Sequence, residues 1–208
     1  MSRVAEIIGC VGPKGSGKSF MANALMLSER VHIMVDIARE FDEGRTVIYD
    51  PLELMETVAA YKGNKRLHIC WRGSETLGPK TAFDWACQAA SKFDGRCAIG
   101  ANETETMIPK SKDFSLSAAR VIRMGRHNQT PLIWTALQLT NVHPMLRGNA
   151  DAMSFFKSGD FNAKDHIRKT AGPEALEAYE NLQDYHYITY SPKTGWKKMP
   201  PIKLPKKR

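Results

Sequence analysis

Gly12-Pro13-Lys14-Gly15-Ser16-Gly17-Lys18-Ser19 decides how the rest of the chain is read. The octapeptide fits the spacing G-x-x-x-x-G-K-[ST] at every fixed position. It stands between an apolar run, Val4-Ala5-Glu6-Ile7-Ile8-Gly9-Cys10-Val11, and a helix-forming stretch, Phe20-Met21-Ala22-Asn23-Ala24-Leu25-Met26. Strand, loop and helix in that order form the context in which this pattern cradles phosphates. Its glycines let the backbone curl until successive N–H groups point inward, and the helix N-terminus adds partial positive charge. Gly12, Pro13, Lys14, Gly15, Ser16, Gly17, Lys18 and Ser19 are therefore the expected nucleotide-binding residues. Lys18 would bridge the β- and γ-phosphates of ATP, and Ser19 would offer its hydroxyl to Mg²⁺. A glycine-rich turn without chemical consequence is the alternative, but it leaves the lysine, the hydroxyl and the flanking elements unexplained.

Working outward, β-branched and aromatic runs predict strands at Val31–Asp36, Thr46–Asp50, Leu67–Trp71, Cys97–Ala101, Pro131–Gln138, Ala152–Phe156 and Tyr185–Tyr190. Helical patterning falls at Thr81–Phe93, Leu116–Arg126, Lys164–Thr170 and Pro173–Asn181. Alternation of strand and helix implies an α/β fold with a mostly parallel central sheet flanked by helices, and a ligand at the carboxyl ends of the strands.

A chain of 208 residues suits one sizeable core. The expected division is an NTPase domain over residues 1–190 and a basic, proline-rich tail over 191–208. From Pro192 onward the chain carries Lys193, Lys197, Lys198, Lys203, Lys206, Lys207 and Arg208 and no acid, which is seven of the eight charges in the net +8. Broken by Pro192, Pro200, Pro201 and Pro205, the tail cannot be helical and should run extended or mobile. Its charge suits phosphate backbones, although a solubilising role or an acidic protein partner fits equally well. No apolar run reaches the roughly 18 residues of a membrane span, and the start of the chain lacks a signal-peptide shape, so a soluble, cytosolic protein is expected. Cys10, Cys70, Cys87 and Cys97 form no C-x-x-C pair and read as reduced thiols, mostly in apolar strands.

Hydrolysis requires more than phosphate binding: an acid that organises the metal and a group that orients or deprotonates water. The strand Cys97–Ala101 ends in Asn102-Glu103, where many ATPases place Asp-Glu. Glu103 is the candidate base, Asn102 a neutral acceptor for the Mg²⁺ water shell, and Glu105 a reserve that faces the same side if the strand continues. A second constellation is Gly125-Arg126-His127 at a helix end, followed by a strand that ends on Gln138. Gln138 can bond a γ-phosphate oxygen or the attacking water. Arg126 and Arg123 can supply positive charge to a transferring phosphoryl group, with a neighbouring subunit as the expected place. Taken singly, these residues read equally well as a polar loop and a solvated helix face.

In combination, the phosphate loop, the strand ending in an acid, Arg126-His127 before a strand, and the terminal Gln138 resemble the genome-packaging ATPases of membrane-containing icosahedral viruses, in the FtsK–HerA superfamily. The resemblance runs from about Ile7 to Tyr190. It implies a RecA/FtsK-like P-loop NTPase with ATP and Mg²⁺ at Lys18 and Ser19, Glu103 as base, Gln138 as sensor and Arg126 as arginine finger. The departure is Asn102 in place of the family's usual Asp, which bears on metal-binding geometry and turnover rate but not on nucleotide binding. The implied protein is a ring-forming, hexameric motor that moves double-stranded DNA, without reading its sequence, into a preformed capsid. Its partners would be capsid vertex proteins, and its location the host cytoplasm and the virion. Alternatives are an ATP-binding virion assembly component with little turnover, a Zot-like filamentous-phage assembly ATPase, and a small-molecule kinase, for which an arginine-rich lid segment is missing.

Overall fold

A computed structural model describes residues 6–63, 65–74, 76–108, 110, 114–125, 127 and 129–202. The run before the phosphate loop is strand β1 (Ile7–Val11), and the segment after it is helix α1 (Lys18–Ser28). There follow β2 (Val31–Val35), β3 (Thr46–Ile48), α2 (Pro51–Ala60), β4 (Leu67–Trp71), α3 (Pro79–Lys92), β5 (Ala98–Ala101) and α4 (Thr104–Met107). The second half comprises α5 (Leu116–Met124), β6 (Leu132–Ala136), α6 (Pro144–Gly148), β7 (Ala152–Phe156), α7 (Phe161–Ala171), α8 (Pro173–Glu180), β8 (Tyr187–Ser191) and β9 (Gly195–Met199). Among the described residues, the strands β1 to β9 join one sheet in the order β3-β4-β2-β5-β6-β1-β7-β8-β9. The pairings from β3 through β7 are parallel, and β8 and β9 add an antiparallel edge. The mostly parallel α/β architecture expected from the sequence is the one observed.

Every residue of β2 is buried, as a central strand covered on both faces requires. Val31, Ile33 and Val35 belong to the larger core with Trp71, Phe83 and Trp134, whereas Met34 joins Ala22 and Met26 of α1 on the opposite face. Period-two alternation thus divides the helices between two layers. The sheet order also places the tips of β1, β6, β5 and β2 side by side, and the site is built there.

Helices α2, α4 and α6 and strand β9 lie outside the elements expected from the sequence. Helix α2 starts at Pro51, where Asp50 accepts N–H bonds from Leu52 at 2.8 Å and Glu53 at 3.0 Å. The signal was the Asp-Pro pair, an N-cap followed by proline at the first helical position. Strand β9 lies inside the stretch read as a tail, so the sheet extends past residue 190. Its Trp196 packs on the larger core, and Met199 and Ile202 pack against Phe156 and Tyr187. These apolar anchors hold an otherwise basic segment to the edge.

His32 and His68 occupy paired positions on β2 and β4 and stack with centroids 4.1 Å apart. His32 is fully buried, and its Nε2 accepts from Arg45 Nε at 3.0 Å. Burial first, then His68 and Arg45, lower its pKa from the usual 6.5 to about 2. The unfolded chain therefore takes up a proton near pH 6.5 that the folded chain refuses until far lower pH. Stability is greatest above that pH and falls on acidification. Between pH 7 and pH 5 the expected loss from this site is about 2 kcal/mol. Denaturant unfolding at the two pH values measures it, and a His32→Gln chain with the same pH slope would exclude His32 as its source.

Candidate nucleotide-binding site

Gly15 and Gly17 hold φ at +77° and +99°, a region that side chains strain to adopt. They bend the chain between β1 and α1 so that the first turn of α1, with its unpaired N–H groups, faces the loop. Gly12 N–H donates to the Ala136 carbonyl at 3.1 Å, which ties the loop entrance to the end of β6. Lys18 is only 5 % exposed. Among the described residues its ammonium has no carboxylate within ion-pair reach, and the buried hydroxyl of Ser16 has no partner. A buried cation and an orphan hydroxyl beside the N-terminus of a helix are what a polyphosphate satisfies.

From the other side, Asn102 approaches at the tip of β5. It is 4 % exposed, and its Oδ1 accepts from Ser19 Oγ at 3.2 Å and from Thr135 Oγ1 at 2.8 Å. Thr135 lies on β6, between the two strands, and its hydroxyl accepts the Glu103 N–H at 2.9 Å. Since that hydroxyl is accepting from nitrogen, its own proton goes to Asn102 Oδ1, which fixes the orientation of the amide. The structure thus brings together Ser19 and Asn102, the two residues expected near the metal. The amide nitrogen of Asn102 faces a residue that the sequence did not flag: it donates to Glu40 Oε2 at 3.0 Å.

Glu103 follows Asn102 in a left-handed conformation, φ 56°. This costly geometry turns the chain out of the sheet and into α4. The strand does not continue, so Glu105 does not share a strand face with Glu103. Glu105 Oε1 instead accepts the Leu137 N–H at 2.8 Å, pinning the turn after β6. That turn carries Gln138. β6 ends at Ala136 rather than at Gln138, and Gln138 is exposed at the start of a 3₁₀ turn (Leu139–Asn141), its Oε1 3.4 Å from Asn141 Nδ2. Arg123 is exposed in the last turn of α5, and Arg126 lies outside the described residues. Gly125 has a packing reason of its own. A Cβ there would stand 2.4 Å from the Val121 carbonyl oxygen and 2.7 Å from that of Thr130, so any larger residue opens the junction between α5 and β6.

Beside the loop, Gly17, Phe20, Phe156, Tyr185, Pro201 and Ile202 line an apolar cleft of about 280 Å³. An adjoining polar cleft of about 270 Å³ is lined by the loop itself together with Lys157, Asp184 and His186. Sequence patterning gave no sign of either, because their walls come from segments at opposite ends of the chain.

A phosphate loop at the tip of a central parallel strand, one strand removed from a polar strand tip that reaches back to its serine, defines the P-loop NTPase fold. No family model matches the chain, and no curated protein matches it in sequence. Among solved structures, the chain is similar to the genome packaging NTPase B204 of Sulfolobus turreted icosahedral virus 2 in complex with ATP-gammaS. The TM-score is 0.76 at 18% identity, covering 97% of this chain and 100% of that one. B204 of Sulfolobus turreted icosahedral virus, described as a DNA-packaging ATPase, gives 0.71 at 20% identity over the same shares. The tandem ATPases 2 and 3 of EssC from Geobacillus thermodenitrificans give 0.58 at 13% identity over 93% of this chain and 39% of theirs. The likeness to packaging ATPases drawn from the sequence motifs thus holds for the fold along nearly the whole chain.

Proposed function

We propose that this chain is an ATPase that drives double-stranded DNA into a viral procapsid, acting as a homo-oligomeric, hexameric ring with capsid vertex proteins as its partners. The observation that carries the reading is the joined site, in which the phosphate-loop Ser19 bonds Asn102 across β6, on a fold shared end to end with viral genome-packaging NTPases. Lys18 and the loop N–H groups hold the triphosphate, and the apolar cleft beside Gly17 has walls suited to a base. Ser19 Oγ and Asn102 Oδ1 are placed to hold Mg²⁺ and its water shell, and the ion when bound neutralises charge on the phosphate oxygens. Glu103 is the base and Gln138 the γ-phosphate sensor. Arg126 acts on the neighbouring subunit, where a planar guanidinium stabilises charge on the transferring group.

Lys193, Lys197 and Lys198 of the β8–β9 hairpin add exposed positive charge for backbone phosphates. Contacts of that kind carry no base information and weaken steeply with salt. The test is Mg²⁺-dependent ATP hydrolysis by the full chain with and without long double-stranded DNA. Turnover that rises with DNA of any sequence, and less so at high salt, is the expected result. Tight ATP binding without turnover under either condition would sink the motor reading. It would favour the assembly component that the amide at position 102 also suits.

A further inference from the structure

The site departs from its expected form at one atom group: position 102 carries an amide where a carboxylate would hold the metal's water. The missing charge is not missing from the structure. Asn102 uses its single oxygen for Ser19 and Thr135 and points its N–H₂ at Glu40 Oε2, 3.0 Å away. An aspartate in that place would set two carboxylates against each other, so amide and acid are a matched pair.

Glu40 is brought there by the fold rather than by a motif. Strand β2 neighbours β5, and the segment leaving β2 is folded back by Asp36, which is fully buried. Asp36 accepts the Glu40 N–H at 2.8 Å and the Phe41 N–H at 3.0 Å. Cys70 and Arg72 donate to the same carboxylate at 3.3 Å. Arg39, immediately before Glu40, holds φ at 60°. Strain at a non-glycine residue persists where the surroundings over-determine it, and here it turns Glu40 toward β5. The Glu40 side chain is exposed, and among the described residues only Asn102 bonds it.

We infer that Glu40 supplies the negative charge of the metal site, one amide removed from Ser19, in place of an acid at position 102. This rests on the nucleotide-binding reading of the phosphate loop. Glu40 is thus a metal-organising residue, and Asp36 positions it.

The test is Mn²⁺ binding to the protein–ATP complex, followed by electron paramagnetic resonance, beside ATP binding in chelator. Glu40→Gln should weaken Mn²⁺ by about 10–100-fold, the range for outer partners of a metal site. The same change should leave metal-free ATP binding equal or tighter, because a negative charge has been taken away from the triphosphate. A substitution that merely damaged the fold would weaken both. Adding Asn102→Asp to Glu40→Gln reverses the pair, with Gln donating and Asp accepting, and should restore Mn²⁺ affinity to within a few-fold of the parent. Glu40→Gln with Mn²⁺ affinity unchanged within two-fold, or a double variant no better than the single one, overturns the inference. A parent chain that binds no ATP even in chelator would instead overturn the reading of the loop, and this inference with it.

Discussion

Lys18→Met leaves the empty protein at least as stable as the parent while cutting the stabilisation that ATP confers to about half or less. The sign follows from burial. An ammonium 5 % exposed, with no carboxylate in ion-pair reach among the described residues, is a cost to the empty fold. Methionine fills a similar volume without charge. With the triphosphate in place, the same ammonium becomes a charge-assisted donor worth about 1.5–3 kcal/mol, so affinity should drop roughly 10–100-fold. Hydrolysis should drop further, by about 100-fold or more, because the lysine also faces charge that develops in the transition state. Thermal unfolding with and without ATP reads the first two effects and phosphate release the third. At 100 times the parent's dissociation constant, ATP should stabilise the parent by about 2.7 kcal/mol. A Lys18→Met chain that is less stable when empty and stabilised by ATP as much as the parent would mean that Lys18 is a structural cation and not the phosphate ligand.

Asp36→Ala should cost about 3–5 kcal/mol of folding stability, the usual result of stripping one partner from a buried ion pair. Arg72, whose side chain is 10% exposed, would keep the Tyr49 hydroxyl and, as its one carboxylate partner among the described residues, Asp42, itself 63% exposed, and an ion pair so open to water contributes little. The N–H groups of Glu40 and Phe41 would lose their acceptor, and so would the thiol of Cys70. Burial and the Asp36 charge push that thiol up to about 12, so it is a donor at every pH of interest. Against a total stability of about 5–15 kcal/mol the loss is severe. Asp36→Asn is the milder companion, since it keeps one oxygen for the loop, although it loses the charge and sets an N–H₂ against donors where the second oxygen was. Urea unfolding of the three chains orders them parent, Asn, Ala. A cost below about 1 kcal/mol for Asp36→Ala would show that the loop between β2 and β3 is held by other contacts. Because the same carboxylate places Glu40, the Asn variant should also weaken metal-linked ATP binding.

Much of the fold was legible because its signals are contiguous. Ile7–Val11, Val31–Val35, Leu132–Ala136 and Ala152–Phe156 are short apolar runs that make sense only as strands buried on both faces. Helix α2 was missed because Tyr49-Asp50 was read as the end of a strand, although the cap and proline that start the helix were there. Strand β9 was missed because lysine and proline dominate its neighbourhood, while two or three apolar side chains decide where it packs. Glu105 is a reserve candidate only if the strand continues, which the left-handed Glu103 prevents, and no periodicity announces one residue of unusual φ.

The sequence by itself determined that a phosphate loop of the form Gly12 to Ser19 caps the first strand of a parallel α/β sheet. Each part of that statement rests on neighbours in the chain: glycines that permit the bend, a lysine and a serine at fixed spacing, a helix immediately after. Only the tertiary structure decided what surrounds Asn102. Its partners Ser19, Thr135 and Glu40 lie 83, 33 and 62 residues away, and they meet because β2, β5, β6 and β1 are adjacent in the middle of the sheet. An amide where an acid was expected reads as a defect in a linear sequence. Its meaning depends on the carboxylate across from it, and strand order, which short-range patterns do not encode, puts that carboxylate there.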